Sequence, residues 1–101
     1  MANRLDFQTK LEAILGSRNV YFQPPNNLEM HYPAIVYEID TIRNNFANNK
    51  VYKQDVAYSV TVIDEDPDSE IKAKISRMPK AEYDRHFSLD NLNHDVFRIY
   101  F

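Results

Sequence analysis

The stretch that decides the fold is residues 34–63, AIVYEIDTIRNNFANNKVYKQDVAYSVTVI. Its first part, from Ala34 to Arg43, alternates in side-chain character from one residue to the next, and the part from Val51 to Ile63 does so again. Such alternation is typical of β-strands. The segment 44–49 between them is rich in asparagine, a turn former. The stretch therefore predicts a long β-hairpin, and because both strands exceed the usual five or six residues, its tip is expected to project beyond the core.

Two amphipathic segments flank the hairpin. Residues 4–15 carry apolar residues at helical spacing, with Asn3 placed to cap the start and Gly16 placed to end the helix. A second helix is predicted to begin with Asp66 as N-cap and Pro67 as its first residue, and to stop at Pro79. The buried stripes are predicted to be Phe7, Leu11, Ile14 and Leu15 in the first helix, and Ile71, Ile75 and Met78 in the second.

Shorter segments complete the sheet. Residues 20–22 are a brief apolar run, which makes the number of strands four or five. Residues 83–89 alternate with Tyr83, Arg85, Phe87 and Leu89 on one side, and residues 95–101 alternate in a way that allows either side to face the core. Most neighbouring strands are joined as hairpins. We therefore expect one α+β domain over residues 1–101, with a mostly antiparallel sheet of four to five strands and both helices packed on one face.

Composition excludes several kinds of function. The 101 residues contain no cysteine, which excludes disulfide scaffolds, thiolate catalysis, iron–sulfur clusters and zinc fingers. The single glycine excludes glycine-rich phosphate-binding loops. The net charge of −3, without a basic stripe, disfavours direct recognition of nucleic acid. No apolar stretch approaches the length of a membrane span. We expect a protein without cofactor or bound metal, and without direct nucleic-acid or membrane binding.

An acidic run, residues 64–70, is the sharpest candidate for chemistry. Its carboxylates alternate in a way that could hold Ca²⁺ or Mg²⁺, which prefer oxygen ligands. The EF-hand pattern, however, requires glycine at its sixth position and glutamate at its twelfth, where this chain has Ser69 and Ile75. The alternative interpretation is a strand-to-helix loop that caps the second helix.

The three histidines do not form a recognisable site. His31, His86 and His94 are too widely spaced for a zinc motif. His86 lies two residues after Asp84, and His94 directly precedes Asp95, a combination that acid–base catalysis can use. Successive residues of a strand point to opposite faces, which argues against contact within His94–Asp95. We predict no catalytic residue, and a small hydrolase or nuclease that uses the acidic run remains the alternative.

Two surface segments have two interpretations each. Residues 21–25, YFQPP, are either a proline-rich ligand with an aromatic lip or a connecting loop whose aromatic rings return to the core. The hairpin tip, residues 44–50, is either a solvated turn or an assembly contact that uses Phe46.

Short strings in a fixed order resemble those of the small tail terminator (tail completion) proteins of long-tailed phages and prophages. The resemblance covers about residues 5–101 and is not a catalytic signature. The strings are LEAILGS at 11–17, NVYFQPP at 19–25, MHYPAIVY at 30–37, VTVIDEDPDS at 60–69 and DNLNHD at 90–95.

The resemblance implies a compact α+β fold and a homo-oligomeric ring, typically a hexamer. Such a ring caps the tail tube, ends its elongation and offers the surface on which head and neck connector proteins dock. Partners would then be further copies of the chain, the tail tube protein and the connector proteins, within a virion assembled in the bacterial cytoplasm. The resemblance implies no catalytic residues and no cofactor.

A ring requires two different patches on each subunit. The projecting hairpin, the acidic run and the aromatic C-terminal strand are candidates for these patches. Two alternatives remain open: a head-completion or neck protein of the same small fold, and a monomeric protein-binding module. The predicted interface residues are Phe46, Asn48, Asn49, Lys50, Asp64, Glu65, Asp66, Asp68, Tyr100 and Phe101.

Overall fold

The computed structural model describes residues 4–25, 29–47 and 50–101, and for residues 45–47 and 51–54 it describes the backbone alone. Two helices and five strands form the α+β fold that the sequence predicts. In chain order the elements are α1 (Arg4–Leu15), β1 (Val20–Phe22), β2 (Ala34–Ala47), β3 (Lys50–Asp64), α2 (Glu70–Ser76), β4 (Ala81–Leu89) and β5 (Leu92–Tyr100).

The five strands form one mixed sheet in the order β1-β2-β3-β5-β4. Only β1 and β2 are parallel, paired over three residues from Val20 opposite Ile35 to Phe22 opposite Tyr37. The other neighbours are antiparallel, so the sheet is mostly antiparallel as predicted. The run at residues 20–22 is therefore a fifth strand.

Both helices pack on the same side of the sheet, which we call the helix face. Period-two alternation sends one set of side chains from each strand to this face, where they meet the apolar stripes of α1 and α2. Side chains of the second set point to the opposite face. The buried cluster comprises Phe7, Leu11, Val20, Ile35, Tyr37, Tyr58, Val60, Val62, Ile75, Phe97 and Ile99.

Helix α1 has the bounds that its sequence predicts. Phe7 and Leu11 are fully buried, and Ile14 and Leu15 are half-buried against the core. Gly16 ends the helix with a φ of +80°, and its N–H donates to the Glu12 carbonyl at 2.9 Å. This left-handed residue satisfies one of the carbonyls that a helix C-terminus leaves without a partner. The predicted cap, Asn3, lies outside the described residues.

Helix α2 begins later than predicted, and Asp66 is not its N-cap. Ser69 occupies that position, and its Oγ accepts a hydrogen bond from the N–H of Ile71 at 3.2 Å. Residues 64–68 instead form two successive turns, in which Asp64 accepts from the N–H of Asp66 and Asp66 from that of Asp68. Asp side chains form such local bonds readily, and they compete with helix extension. The helix ends at Ser76 rather than at Pro79.

The segment predicted as a turn is largely strand. Residues 44–47 continue β2, paired with β3 from Asn44 opposite Gln54 to Ala47 opposite Lys50. The prediction of a turn over these residues is wrong, because asparagine propensity is a weak preference that an antiparallel partner overrides. Residues 48 and 49 lie outside the described residues, so the hairpin connection itself stays a prediction.

A bulge in β4 corrects the predicted alternation. Tyr83 pairs with Phe97 and Arg85 pairs with Val96, which leaves Asp84 as an extra residue. The bulge places Tyr83 on the helix face, where its ring meets Phe97 at 5.2 Å between centroids. Arg85, with Phe87 and Leu89 beyond it, points to the opposite face. Tyr83 therefore does not share a face with those three residues.

Turns are made almost without glycine. Four residues other than glycine have positive φ among the described segments: Gln23 at 44°, Lys80 at 62°, Asp90 at 52° and Asn91 at 63°. Asp90 and Asn91 form the two-residue connection between β4 and β5. Positive φ at both central residues is what a type I′ hairpin turn needs, because its twist matches that of the strands. Within the described part of the chain, no helix is long and apolar enough to span a membrane.

Candidate assembly surfaces

Strands β2 and β3 continue past the rest of the sheet as a two-stranded ribbon, residues 41–47 and 50–56. Strand β1 pairs with β2 only as far as Tyr37, and β5 pairs with β3 only from Ala57 onward. Within the described residues, no third strand pairs with either edge of the ribbon beyond its base, where the N–H of Phe101 donates to the Val56 carbonyl at 3.1 Å. The molecule is accordingly elongated, with principal extents of 51 × 29 × 23 Å.

The ribbon exposes apolar side chains on its helix face. Ile39, at the base, is 40% exposed and Ile42 is 50% exposed. A bulge between Ile39 and Thr41 inserts Asp40, so that Ile42 shares a face with Ile39 although it lies an odd number of positions, three, further along the chain. The sequence contains the signal for this bulge, because the apolar positions 35, 37 and 39 are followed by 42 rather than 41.

A shallow groove of about 290 Å³ lies at the base of the ribbon on the opposite face. Beside it, Arg98 forms an ion pair with Asp40 at 3.0 Å. Arg43 and Lys80 supply positive charge to the groove, and Asp55 stands opposite Arg43 in the β-ladder. The groove is lined by Thr41, Arg43, Asp55, Ala57, Lys80 and Tyr100.

The acidic segment lies at the other end of the sheet. Asp64 ends β3 opposite Asn93 of β5, and the Asn93 side chain donates to the Glu65 carbonyl at 3.3 Å. Glu65, Asp66 and Asp68 are exposed. In the described part of the chain, no three His, Asp or Glu side chains are close enough to hold a metal ion.

The two C-terminal aromatic residues differ in their surroundings. Tyr100 is exposed on the opposite face. Phe101 packs back on the core: its ring lies 4.9 Å from that of Phe7, and its N–H donates to the Val56 carbonyl at 3.1 Å. The Lys10 ammonium lies over the same ring at 5.3 Å. Phe101 therefore contributes to the core, and its substitution would disturb the packing of α1 as well as any contact with a partner.

The His and Asp side chains of β4 and β5 have structural partners. Asp95 is buried on the helix face and accepts a hydrogen bond from the Tyr83 hydroxyl at 3.0 Å. Tyr83 is 55% exposed, and the partial desolvation of its ring raises the pKa of its hydroxyl, which the hydrogen bond to Asp95 raises further. His94 is buried on the opposite face, where it stacks on Phe87 at 4.6 Å. His86 bonds to Asn93 at 3.1 Å. The geometry thus separates the His94 and Asp95 side chains.

The segment 21–25 is a connecting segment that also completes the sheet. Gln23 follows β1, and its side-chain oxygen accepts from the N–H of Ile39 at 3.2 Å, in place of a further strand residue. Phe22 returns to the core beside Tyr37, at 4.9 Å between centroids. The Arg4 guanidinium lies over the Phe22 ring at 4.4 Å. Of the two interpretations, the loop whose aromatic residue returns to the core matches this geometry.

The predicted interface residues do not form one patch. Lys50 and Tyr100 belong to the ribbon and its base, whereas residues 64–68 lie at the far end of β3. Asn48, Asn49 and the Phe46 side chain lie outside the described residues. Sequence reasoning did not single out Ile39, Ile42, Arg43 and Lys80, which are exposed at the ribbon and its base.

The Tyr37 hydroxyl links α1 to the sheet through polar contacts. It donates to Gln8 Oε1 at 2.6 Å and accepts from Arg4 at 3.0 Å. Burial raises the pKa of Tyr37, although Arg4 acts in the opposite direction. Burial also raises the pKa of Tyr58, which the neighbouring Tyr37 raises further.

The raised pKa values of Tyr37 and Tyr58 predict that the protein loses stability at alkaline pH. A raised folded-state pKa means that the folded protein favours the neutral phenol. The contribution of each tyrosine to the free energy of unfolding is therefore complete below pH 10.0 and is lost as pH rises through the higher folded-state pKa. We expect the free energy of unfolding to fall above pH 10.0, and to fall less steeply in Tyr37→Phe. Urea denaturation at a series of pH values measures this. Tyr32→Phe, at an exposed tyrosine, is the control and should keep the wild-type slope.

Comparison with known proteins gives no family for this chain. No protein-family model matches it, and no curated protein matches it in sequence.

Proposed function

We propose that the protein is a non-enzymatic structural component of a phage tail. It assembles into a ring that caps the tail tube, ends tail elongation and provides the surface on which head and neck proteins dock. The ribbon carries the proposal, because a two-stranded ribbon is marginally stable by itself and needs a third strand or a packing partner. Ile39 and Ile42 leave apolar surface in water on the same element. Both features favour a ribbon that packs against another protein.

The positions of the resembling strings support the same function. The string VTVIDEDPDS runs from β3 into the acidic segment, and DNLNHD forms the turn between β4 and β5 beside it. Both therefore lie at the end of the sheet opposite the ribbon. A contact surface at each end is what ring formation requires, since each subunit must present two different patches to its neighbours.

The proposed partners and location come from the resemblance. The ring would contain about six copies, contact the tail tube protein on one side and the neck connector proteins on the other, and reside in the virion. The weakly acidic net charge of −3 disfavours adhesion of DNA that passes through such a ring. A head-completion or neck protein of the same fold is the nearest alternative.

A monomeric protein-binding module is a second candidate, favoured by strand β4. This nine-residue strand lies at the sheet edge and is exposed along almost its whole length. Such an edge can accept an extended peptide as an additional strand. The Asp84 bulge and the charges of Glu82 and Arg85 act against this, because bulges and charges protect edges from pairing.

The test of the proposed function has two parts. Light scattering across a wide concentration range, followed by electron microscopy, should reveal a closed ring with a central hole. Adding the protein to polymerising cognate tail tube protein should then stop tube growth and shorten the tubes. A protein that stays monomeric and leaves tube length unchanged would overturn the proposal and favour the binding module.

A further inference from the structure

The ribbon end of the molecule is basic and partly apolar. Among the described side chains that line the groove or end the ribbon, the charged ones are those of Arg43, Lys50 and Lys80 and the carboxylate of Asp55. Asp40 and Arg98 form an ion pair with each other, so their charges cancel. We call this region, with Ile39 and Ile42, the ribbon end.

The opposite end is acidic and also partly apolar. Carboxylates from the β3–α2 loop and from the β4–β5 turn lie there. Lys72, whose Nζ donates to the Pro67 carbonyl at 2.7 Å, is a cation beside them. Arg18 lies at the same end of the sheet but precedes β1, two strands away from β3. We call this region the acidic end: Asp64, Glu65, Asp66, Asp68 and Asp90, with the exposed apolar residues Phe87 and Leu89.

The two ends are too far apart to neutralise each other within one chain. Strand β3 runs from Lys50 to Asp64, and at about 3.3 Å per residue it places these two residues roughly 46 Å apart. Charges on the surface are screened beyond about 8 Å at physiological ionic strength. Each end therefore offers its charge to another molecule.

We propose that copies of this chain associate head to tail, with the ribbon end of one copy against the acidic end of the next. This assignment rests on the ring assembly proposed above and identifies its contact. Opposite charges attract and orient the two ends, and exposed aliphatic and aromatic groups on both sides provide apolar surface to bury. A contact between two different patches joins copies in one direction and closes into a ring when the rotation between neighbours divides a full turn, whereas a two-fold contact stops at a dimer.

Cysteine cross-linking tests the contact without interference, since the natural chain has no cysteine. Lys50→Cys marks the ribbon end and Asp66→Cys marks the acidic end, and both positions are exposed. We expect a mixture of the two variants to form disulfide-linked mixed dimers at about tenfold higher yield than either variant alone. The yield should fall in about 1 M salt, where the screening length is about 3 Å. Lys50→Cys with Thr9→Cys, at an exposed position on α1, is the control for random collision.

Two results would overturn the proposal. Efficient dimers of Lys50→Cys alone would indicate a two-fold contact between ribbons. A yield of mixed dimers no higher than that of the Thr9→Cys control, at protein concentrations up to millimolar, would rule out the contact. Rings seen by microscopy beside either result would leave the proposed function standing and refute only this surface assignment. Absence of both rings and tube-length control would refute the proposed function itself.

Discussion

Replacing Phe7 with alanine is expected to lower the free energy of unfolding by about 3–5 kcal/mol, the range for a buried phenylalanine. Phe7 is fully buried, and three aromatic rings surround it. Its ring stacks on Tyr58 at 4.7 Å, meets Tyr37 edge-on at 5.5 Å, and contacts Phe101 at 4.9 Å. Truncation would leave a cavity between α1 and the sheet, because rigid rings cannot close the space.

Urea denaturation followed by circular dichroism measures this change. The midpoint should shift while the slope with urea concentration stays constant, as expected when stability alone changes. Leu5→Ala is the matched control, since Leu5 is on the same helix and 63% exposed, and it should change stability by less than about 0.5 kcal/mol. Equal midpoints for the two variants would contradict the central position of Phe7 in the core.

Replacing Ile75 with alanine is expected to cost about 2–5 kcal/mol. Helix α2 has only seven residues, and Ile75 is its one fully buried side chain, with Ile71 half-buried beside it. A helix this short is unstable alone and depends on its packing. Loss of Ile75 should therefore release α2 from the sheet before the whole domain unfolds.

Amide hydrogen exchange separates local release from global destabilisation. In Ile75→Ala, amide exchange in α2 should accelerate relative to the natural protein. The amides of β3 and β5, which lie in the centre of the sheet, should accelerate less. Lys74→Ala, at the exposed neighbouring position, should leave exchange in α2 close to that of the natural protein. Uniform acceleration over the whole chain would show that α2 unfolds together with the sheet.

The sequence predicts the elements that have strong periodicity. The bounds of α1 and the two-strand alternation around Tyr37 and Val60 follow from apolar spacing and from Gly16. Residue propensity gives the wrong structure where contacts between distant segments determine it. The asparagines of segment 44–47 belong to a strand, and Ser69 rather than Asp66 caps α2. The bulges at Asp40 and Asp84 shift the alternation by one residue and so change which side chains share a face.

The candidate surfaces are less accessible to sequence reasoning than the fold. The acidic run and Lys50 are visible as residues, but their separation depends on how far β2 and β3 extend. A turn at Asn44 would have shortened the ribbon and brought the charges closer to the sheet. Lys80 joins Arg43 only through the pairing of β3 with β5, a long-range contact that no local pattern contains.

The scarcity of glycine affects the unfolded chain as well as the turns. Side chains restrict backbone freedom, so a chain with one glycine in 101 residues loses less conformational entropy when it folds. The four left-handed turn residues oppose this gain, since the conformation costs roughly 1 kcal/mol at a residue with a Cβ. At Lys80 or Asp90, glycine would relieve that cost but would increase the conformational entropy of the unfolded chain. The two effects oppose each other, so the net gain in stability from glycine at either position is smaller than the relieved strain alone.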